Sequence, residues 1–127
     1  MVILQKRVTM KLLKVIPKVF YEDIKQGHRL FIDCLGFRTL YEDGTLWVLD
    51  RDGVTISLVK DAEFAAKDRP ELRLATDDID ALYAEVVAKD KALLHPNSNR
   101  VKLQPWGLKE FALRDESDVC VIVQQSV

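Results

Sequence analysis

Tyr21-Glu22-Asp23-Ile24-Lys25-Gln26-Gly27-His28-Arg29-Leu30-Phe31-Ile32-Asp33-Cys34-Leu35-Gly36-Phe37 is the stretch on which the reading of the chain turns. Asp23 offers an N-cap, and Gln26 three positions on completes a capping-box pattern. Ile24, Phe31 and Leu35 fall on one helical stripe, with Leu30 and Cys34 beside it. Gly36 closes the helix, because only glycine takes the left-handed cap without a Cβ clash. Upstream, residues 12–20 are rich in β-branched and apolar side chains and predict a strand. Pro17 makes it an edge strand or a bulged one. Downstream, residues 37–41, 46–49 and 54–59 predict three more strands. Glu42-Asp43-Gly44 and Arg51-Asp52-Gly53 separate them, and Asp-Gly is a hairpin signal.

The order strand, helix, three strands then returns. Residues 61–70 are polar and Ala-rich, end in Pro70, and read as a linker with room for one helical turn. Glu71–Ala75 alternates as a strand. Asp77 is placed to cap a helix whose stripe is Ile79, Leu82, Tyr83, Val86 and Val87. A loop over 93–99 containing His95-Pro96-Asn97 follows, then strands over 100–104, 109–114 and 119–125, the last two joined by Asp115-Glu116-Ser117-Asp118. Each half spans about fifty residues, a period that marks an internal repeat. One helix covers one face of a four-stranded sheet and leaves the other bare. Two such halves side by side are expected to curl their bare faces into a cup, a natural small-molecule site.

Composition bounds the function classes. The 127 residues are 48% hydrophobic and 31% charged, with formal net charge −1 and the two signs interspersed. A nucleic-acid binder concentrates basic residues on one face, and no such concentration is visible. No apolar run is long enough to span a bilayer. Residues 1–9 lack a long apolar region and a small-residue cleavage site, so a loose extension is expected there rather than a signal peptide. Cys34 and Cys120 are far apart in apolar runs, with neither CxxC nor Cys/His ligand spacing. Two free thiols fit a reducing compartment, which points to the cytoplasm.

This order of elements resembles the βαβββ repeat of the vicinal-oxygen-chelate superfamily, which groups glyoxalases, bleomycin-resistance proteins and extradiol dioxygenases. Tyr21-Glu22-Asp23-Ile24, Leu30-Phe31 and Cys34-Leu35-Gly36-Phe37 look like its first-module pattern. Pro105-Trp106-Gly107-Leu108-Lys109-Glu110-Phe111 and the turn at Asp115 look like its Trp-Gly-x-x-Glu-Phe strand, and Asp77-Asp78-Ile79-Asp80-Ala81-Leu82 resembles its second helix start. The resemblance covers about residues 12–125. It implies an α+β fold of two tandem βαβββ modules, about 11–60 and 71–125 with a linker at 61–70, whose mixed sheets form a cup within a single domain 1–127. It also implies a homodimer, often with module one of one chain beside module two of the other.

Enzymes of the superfamily hold a divalent metal through His and Glu on strands of both modules. The corresponding places here are Ile16, Ser57, Glu71 and Ile122. Only Glu71 is a ligand of the usual type, and a catalytic zinc-type site takes three protein ligands. No metal and no cofactor are therefore expected. The function expected is metal-independent binding of a small organic molecule, like that of the bleomycin-resistance members. A metal-dependent lyase, isomerase or oxygenase is the alternative.

Strand alternation assigns the cup-facing side chains. Ile16 and Lys18 face it from the first strand, Ser57 from the fourth, Glu71 and Arg73 from the fifth, Glu110 from the seventh and Ile122 from the eighth, with Trp47 and Trp106 of compatible parity. Glu71, Arg73 and Glu110 either bind a polar ligand or pair with one another, since buried charge is costly unless paired. The tryptophans either stack on a ligand or pack in a core or interface. His95 reads as a loop residue and His28 as structural. Ser57 lacks a nucleophile-elbow setting, and Cys34 has no neighbouring base to activate it.

Overall fold

The computed structural model describes residues 10–127. The extension expected over residues 1–9 lies outside the described residues. Module one runs β1 (Lys18–Tyr21), α1, β2 (Arg38–Glu42), β3 (Leu46–Arg51) and β4 (Val54–Lys60). Helix α1 starts as an α-helical turn, Ile24–Gly27, and continues with the wider π-type winding over His28–Cys34. A short helix α2 (Ala62–Lys67) occupies the linker. Module two runs β5 (Glu71–Ala75), α3 (Ile79–Asp90) with a 3-10 turn Lys91–Leu93, β6 (Lys102–Leu103), β7 (Leu108–Arg114) and β8 (Cys120–Ser126).

The two sheets have the same layout. Their strand orders are β1-β4-β3-β2 and β5-β8-β7-β6. In each, the outer pair β1·β4 or β5·β8 is parallel and the remaining pairs are antiparallel. This is the α+β pair of βαβββ modules that the repeat predicts. The β3–β4 hairpin turns at Asp52 and Gly53, both at positive φ (55° and 83°), as a two-residue type I′ turn requires.

Three local expectations need correction. The first strand is shorter than residues 12–20: pairing begins at Lys18, and Leu12, Leu13 and Val15 are exposed. Pro17 has no N–H to give, and only its carbonyl joins the sheet, accepting from Ser57 N at 2.9 Å. The first helix is wider than an α-helix, with Leu35 N bonded to Leu30 O at 3.0 Å, yet it still buries Leu30, Phe31, Cys34 and Leu35. The capping box is half formed. Asp23 accepts from Lys25 N at 3.0 Å, while the Gln26 amide turns to Glu116 at 3.3 Å.

One apolar core serves both modules. Val19, Tyr21, Leu49, Ile56 and Leu58 of the first sheet and Phe111, Leu113, Val121 and Val123 of the second join the helix residues Leu30, Phe31, Ile79 and Val86. Gly27 lets α1 lie directly on its sheet, because a Cβ there would sit 2.7 Å from the Tyr21 ring and 3.0 Å from Leu58. Polar ties cross the same seam. The Tyr21 hydroxyl donates to Asp115 at 2.6 Å, Arg29 meets Asp90 at 2.7 Å and Arg51 meets Glu85 at 3.0 Å. The modules thus associate through their helix-covered faces. No strand of one sheet pairs with a strand of the other. The single chain therefore does not close its two sheets into one cup, and the bare faces point away from the shared core.

Candidate functional site

Register identifies each bare face. In the first sheet Lys18 lies opposite Ser57, Phe20 opposite Val59, Val48 opposite Ser57 and Asp50 opposite Thr55. These side chains alternate with the core residues Val19, Ile56, Leu58 and Leu49. Phe20, Val48, Ser57 and Val59 are half-buried although no helix α1 residue covers this side. Phe64, from α2, stacks on Phe20 with ring centroids 5.1 Å apart. Asp50 is buried and accepts from the Thr55 hydroxyl at 3.1 Å.

In the second sheet Arg73 lies opposite Ile122, Ile122 opposite Ala112, and Glu110 opposite Gln124. Glu71 lies opposite Cys120. Here a polar knot has formed. Arg73 Nη1 donates to Glu110 Oε2 at 2.9 Å and to Gln124 Oε1 at 3.1 Å, and Trp106 Nε1 donates to the same Glu110 oxygen at 2.9 Å. Glu110 is 5% exposed, so both donors compensate a carboxylate that burial alone would penalise. The guanidinium and the indole are consequently tied to the same carboxylate, and Trp106 remains 62% exposed.

The sequence-derived positions thus divide. Lys18 and Ser57 share the first bare face, and Glu71, Arg73, Glu110 and Ile122 share the second. Trp106 joins the second through its bond to Glu110, from the turn that Gly107 makes at φ 91°. Ile16 stands ahead of β1, outside the strand and 51% exposed. Trp47 does not face a cup. It pairs with Leu58, which fixes it on the helix side, where it is 7% exposed and meets the His28 ring edge-on at 5.2 Å. Trp47 and Leu49, not Val48, carry the core alternation of β3, which puts Trp47 on the opposite side from the one its parity predicts. Glu71 stays exposed and outside the Arg73–Glu110 knot, so the expected trio is a pair plus one carboxylate. Phe64 was missed. Its signal was there, as the one large apolar side chain within residues 61–70.

The places that would hold a metal are poor in donor atoms. Ile16 and Ile122 have no donor atom, Ser57 offers a weak neutral hydroxyl, and Glu71 is the one strong ligand. Among the described residues, no three His, Cys, Asp or Glu side chains converge on a possible ion. The residues present do not fit a three-ligand centre. Both thiols are disfavoured as thiolates. Burial pushes Cys34 up to about 11, and burial followed by the nearby Glu71 carboxylate raises Cys120.

No protein-family model matches the sequence, and no curated protein matches it. Solved structures do match. The bleomycin-binding protein of Streptomyces verticillus, complexed with copper(II)-bleomycin, superposes with a TM-score of 0.74 at 22% identity over 94% of this chain and 100% of that one. The bleomycin resistance determinant encoded on transposon Tn5 gives 0.73 at 18% identity, over 91% and 98% of the two chains. The chain has the same two-module fold as these proteins. A lactoylglutathione lyase from Agrobacterium tumefaciens shares it as well, at TM-score 0.67 and 16% identity over 91% of this chain and 95% of that one. Likeness at this identity is a likeness of fold, and the proteins that share it here include both binding proteins and a lyase. No helix among the described residues is long and apolar enough to cross a membrane.

Proposed function

We propose that this protein binds a small organic molecule without a metal, as a homodimer whose sites lie between bare sheet faces of two chains. The observation that carries the reading is the pair of uncovered faces. Each presents half-buried apolar side chains (Phe20, Val48 and Val59 on one, Ile122 on the other) beside fixed polar groups, and among the described residues no long helix covers either face, Phe64 of the short helix α2 lying on Phe20 alone. A ligand site combines such apolar surface with a few placed polar groups. A second copy that sets its second sheet beside the first sheet of its partner makes the concavity that one chain lacks, and twofold symmetry makes two of them. Trp106, Arg73 and Glu110 would line one wall, and Lys18, Phe20 and Ser57 the other. The bleomycin-binding neighbours support binding as the activity. The donor set argues against metal-dependent lyase or oxygenase chemistry. The two free cysteines suit the cytoplasm.

Native mass spectrometry of gently purified protein tests this reading in one spectrum. The expected result is a dimer without stoichiometric metal, with or without an organic adduct. A monomer at micromolar concentration, or a dimer holding one divalent ion per site, would overturn it, and the second result would favour the metal-dependent enzyme.

A further inference from the structure

The charges on the bare faces carry the reading one step further, to the class of ligand, and this step rests on the binding function proposed above. The whole chain has net charge −1, so any local excess of positive charge is a property of the place. On the first sheet the bare face carries Lys18 and, at β2 opposite Asp50, Arg38. On the second it carries Lys102, opposite Glu110, and Arg114, opposite Cys120. All four are exposed, and among the described residues none has an acidic oxygen within 4.0 Å. The acids of the same faces are mostly engaged. Asp50 accepts from Thr55, and Glu110 accepts from both Arg73 and Trp106. Among the described residues, Glu71 is left as the carboxylate of the bare faces with no side-chain partner.

The apolar part of the surface is aromatic on both sides. Phe20 with Phe64 lies beside Lys18, and the exposed Trp106 ring lies beside Arg73. We propose that the ligand is a planar organic anion, a carboxylate or sulfonate on an aromatic ring, whose ring lies against Trp106 and the half-exposed Phe64 that stacks on Phe20, and whose charge is held by an unpaired cation of these faces, Lys18 being the one beside the aromatic pair. A neutral ring would leave these cations without a partner, and a cationic one would meet them as like charges. A carboxylate at a few ångströms from an ammonium or guanidinium forms the stronger, charge-assisted class of hydrogen bond.

The test uses two probes with the same ring and opposite charge, 2-naphthoate and 2-naphthylmethylammonium, titrated into the full chain by calorimetry at low salt. The Trp106 indole N–H signal is followed by NMR to locate the ligand. Naphthoate is expected to bind about tenfold tighter than the ammonium, the size of one partly screened ion pair, and to shift the Trp106 signal. Lys18→Glu, an exposed substitution, is expected to erase or invert the preference. Equal or tighter binding of the ammonium overturns the anion assignment and leaves small-molecule binding standing. Binding of naphthoate that leaves the Trp106 signal in place, or a preference untouched by Lys18→Glu, overturns the location. Absence of binding by either probe overturns the anion assignment, while the binding function stands or falls with the native mass spectrum.

Discussion

Asp115 joins the two modules through single atoms. One carboxylate oxygen accepts the Tyr21 hydroxyl, 94 residues away in sequence, and the other accepts the backbone N–H groups of Ser117 and Val119, which shape the β7–β8 turn. Burial raises this carboxyl above its usual range, and it does so against those three hydrogen bonds, which pull the other way. The same burial, with the Asp115 charge, pushes the Tyr21 phenol far up, so it stays the donor. A carboxyl raised on folding keeps its proton to higher pH in the native state than in the unfolded chain. Between the ordinary carboxylate range and the native value the folded state binds more protons, so this group's contribution to stability is greatest at acid pH and declines as pH rises through that window. Asp115→Asn, which keeps the shape and removes the titration, should flatten the decline. Urea denaturation from about pH 4 to pH 7 measures it, and an unchanged slope in the variant would assign the pH dependence to other groups.

At the level of elements, helix ends and turns follow short-range chemistry with one-residue errors. The sequence pattern favours Asp77 as the cap of the second helix, but Asp78 holds that place, its side chain accepting from Ala81 N at 3.1 Å and its carbonyl from Leu82 N at 3.2 Å. Asp77 instead uses its carbonyl to accept from the Gln125 amide at 2.9 Å. Loss of a capping carboxylate costs about 1 kcal/mol, whereas an exposed side chain outside such a feature is worth within about 0.5 kcal/mol. Asp78→Ala should therefore lower the unfolding free energy by about 1 kcal/mol, and Asp77→Ala should leave it nearly unchanged. Equal losses in urea denaturation would place the cap wrongly. Adjacent aspartates satisfy the same sequence rule, so only the observed chain path separates them.

For the whole molecule the shared core makes a definite demand. Tyr21, Leu30 and Phe31 of module one and Ile79, Phe111 and Val121 of module two belong to one cluster. Neither module can open its helix-side face without exposing core residues of the other. Unfolding should be one cooperative event, despite the internal repeat. Trp47, buried against His28 in module one, reports that module by fluorescence, while far-UV circular dichroism reports both. The two signals should change at the same urea concentration in a Trp106→Phe background. Separate midpoints would mean that the modules are independent units.

The repeat, the α+β class, the Asp52-Gly53 hairpin and most bare-face assignments were legible in the sequence. All of them follow from period-two or helical alternation and from turn residues, which act within a few positions along the chain. Trp47 and Ile16 show where that reasoning ends. A tryptophan suits either face of a strand, and a proline shortens a strand only once its partner strand is placed. The pairing Arg73–Glu110–Trp106 required β5 and β7 to lie on either side of β8. The largest matter was decided by tertiary structure alone. Two modules with helix-covered and bare faces can meet through either. In this chain the helix-covered faces met, where the buried apolar residues of both modules gather, and burial of apolar surface is the dominant favourable term. The bare faces were thereby left outside the shared core.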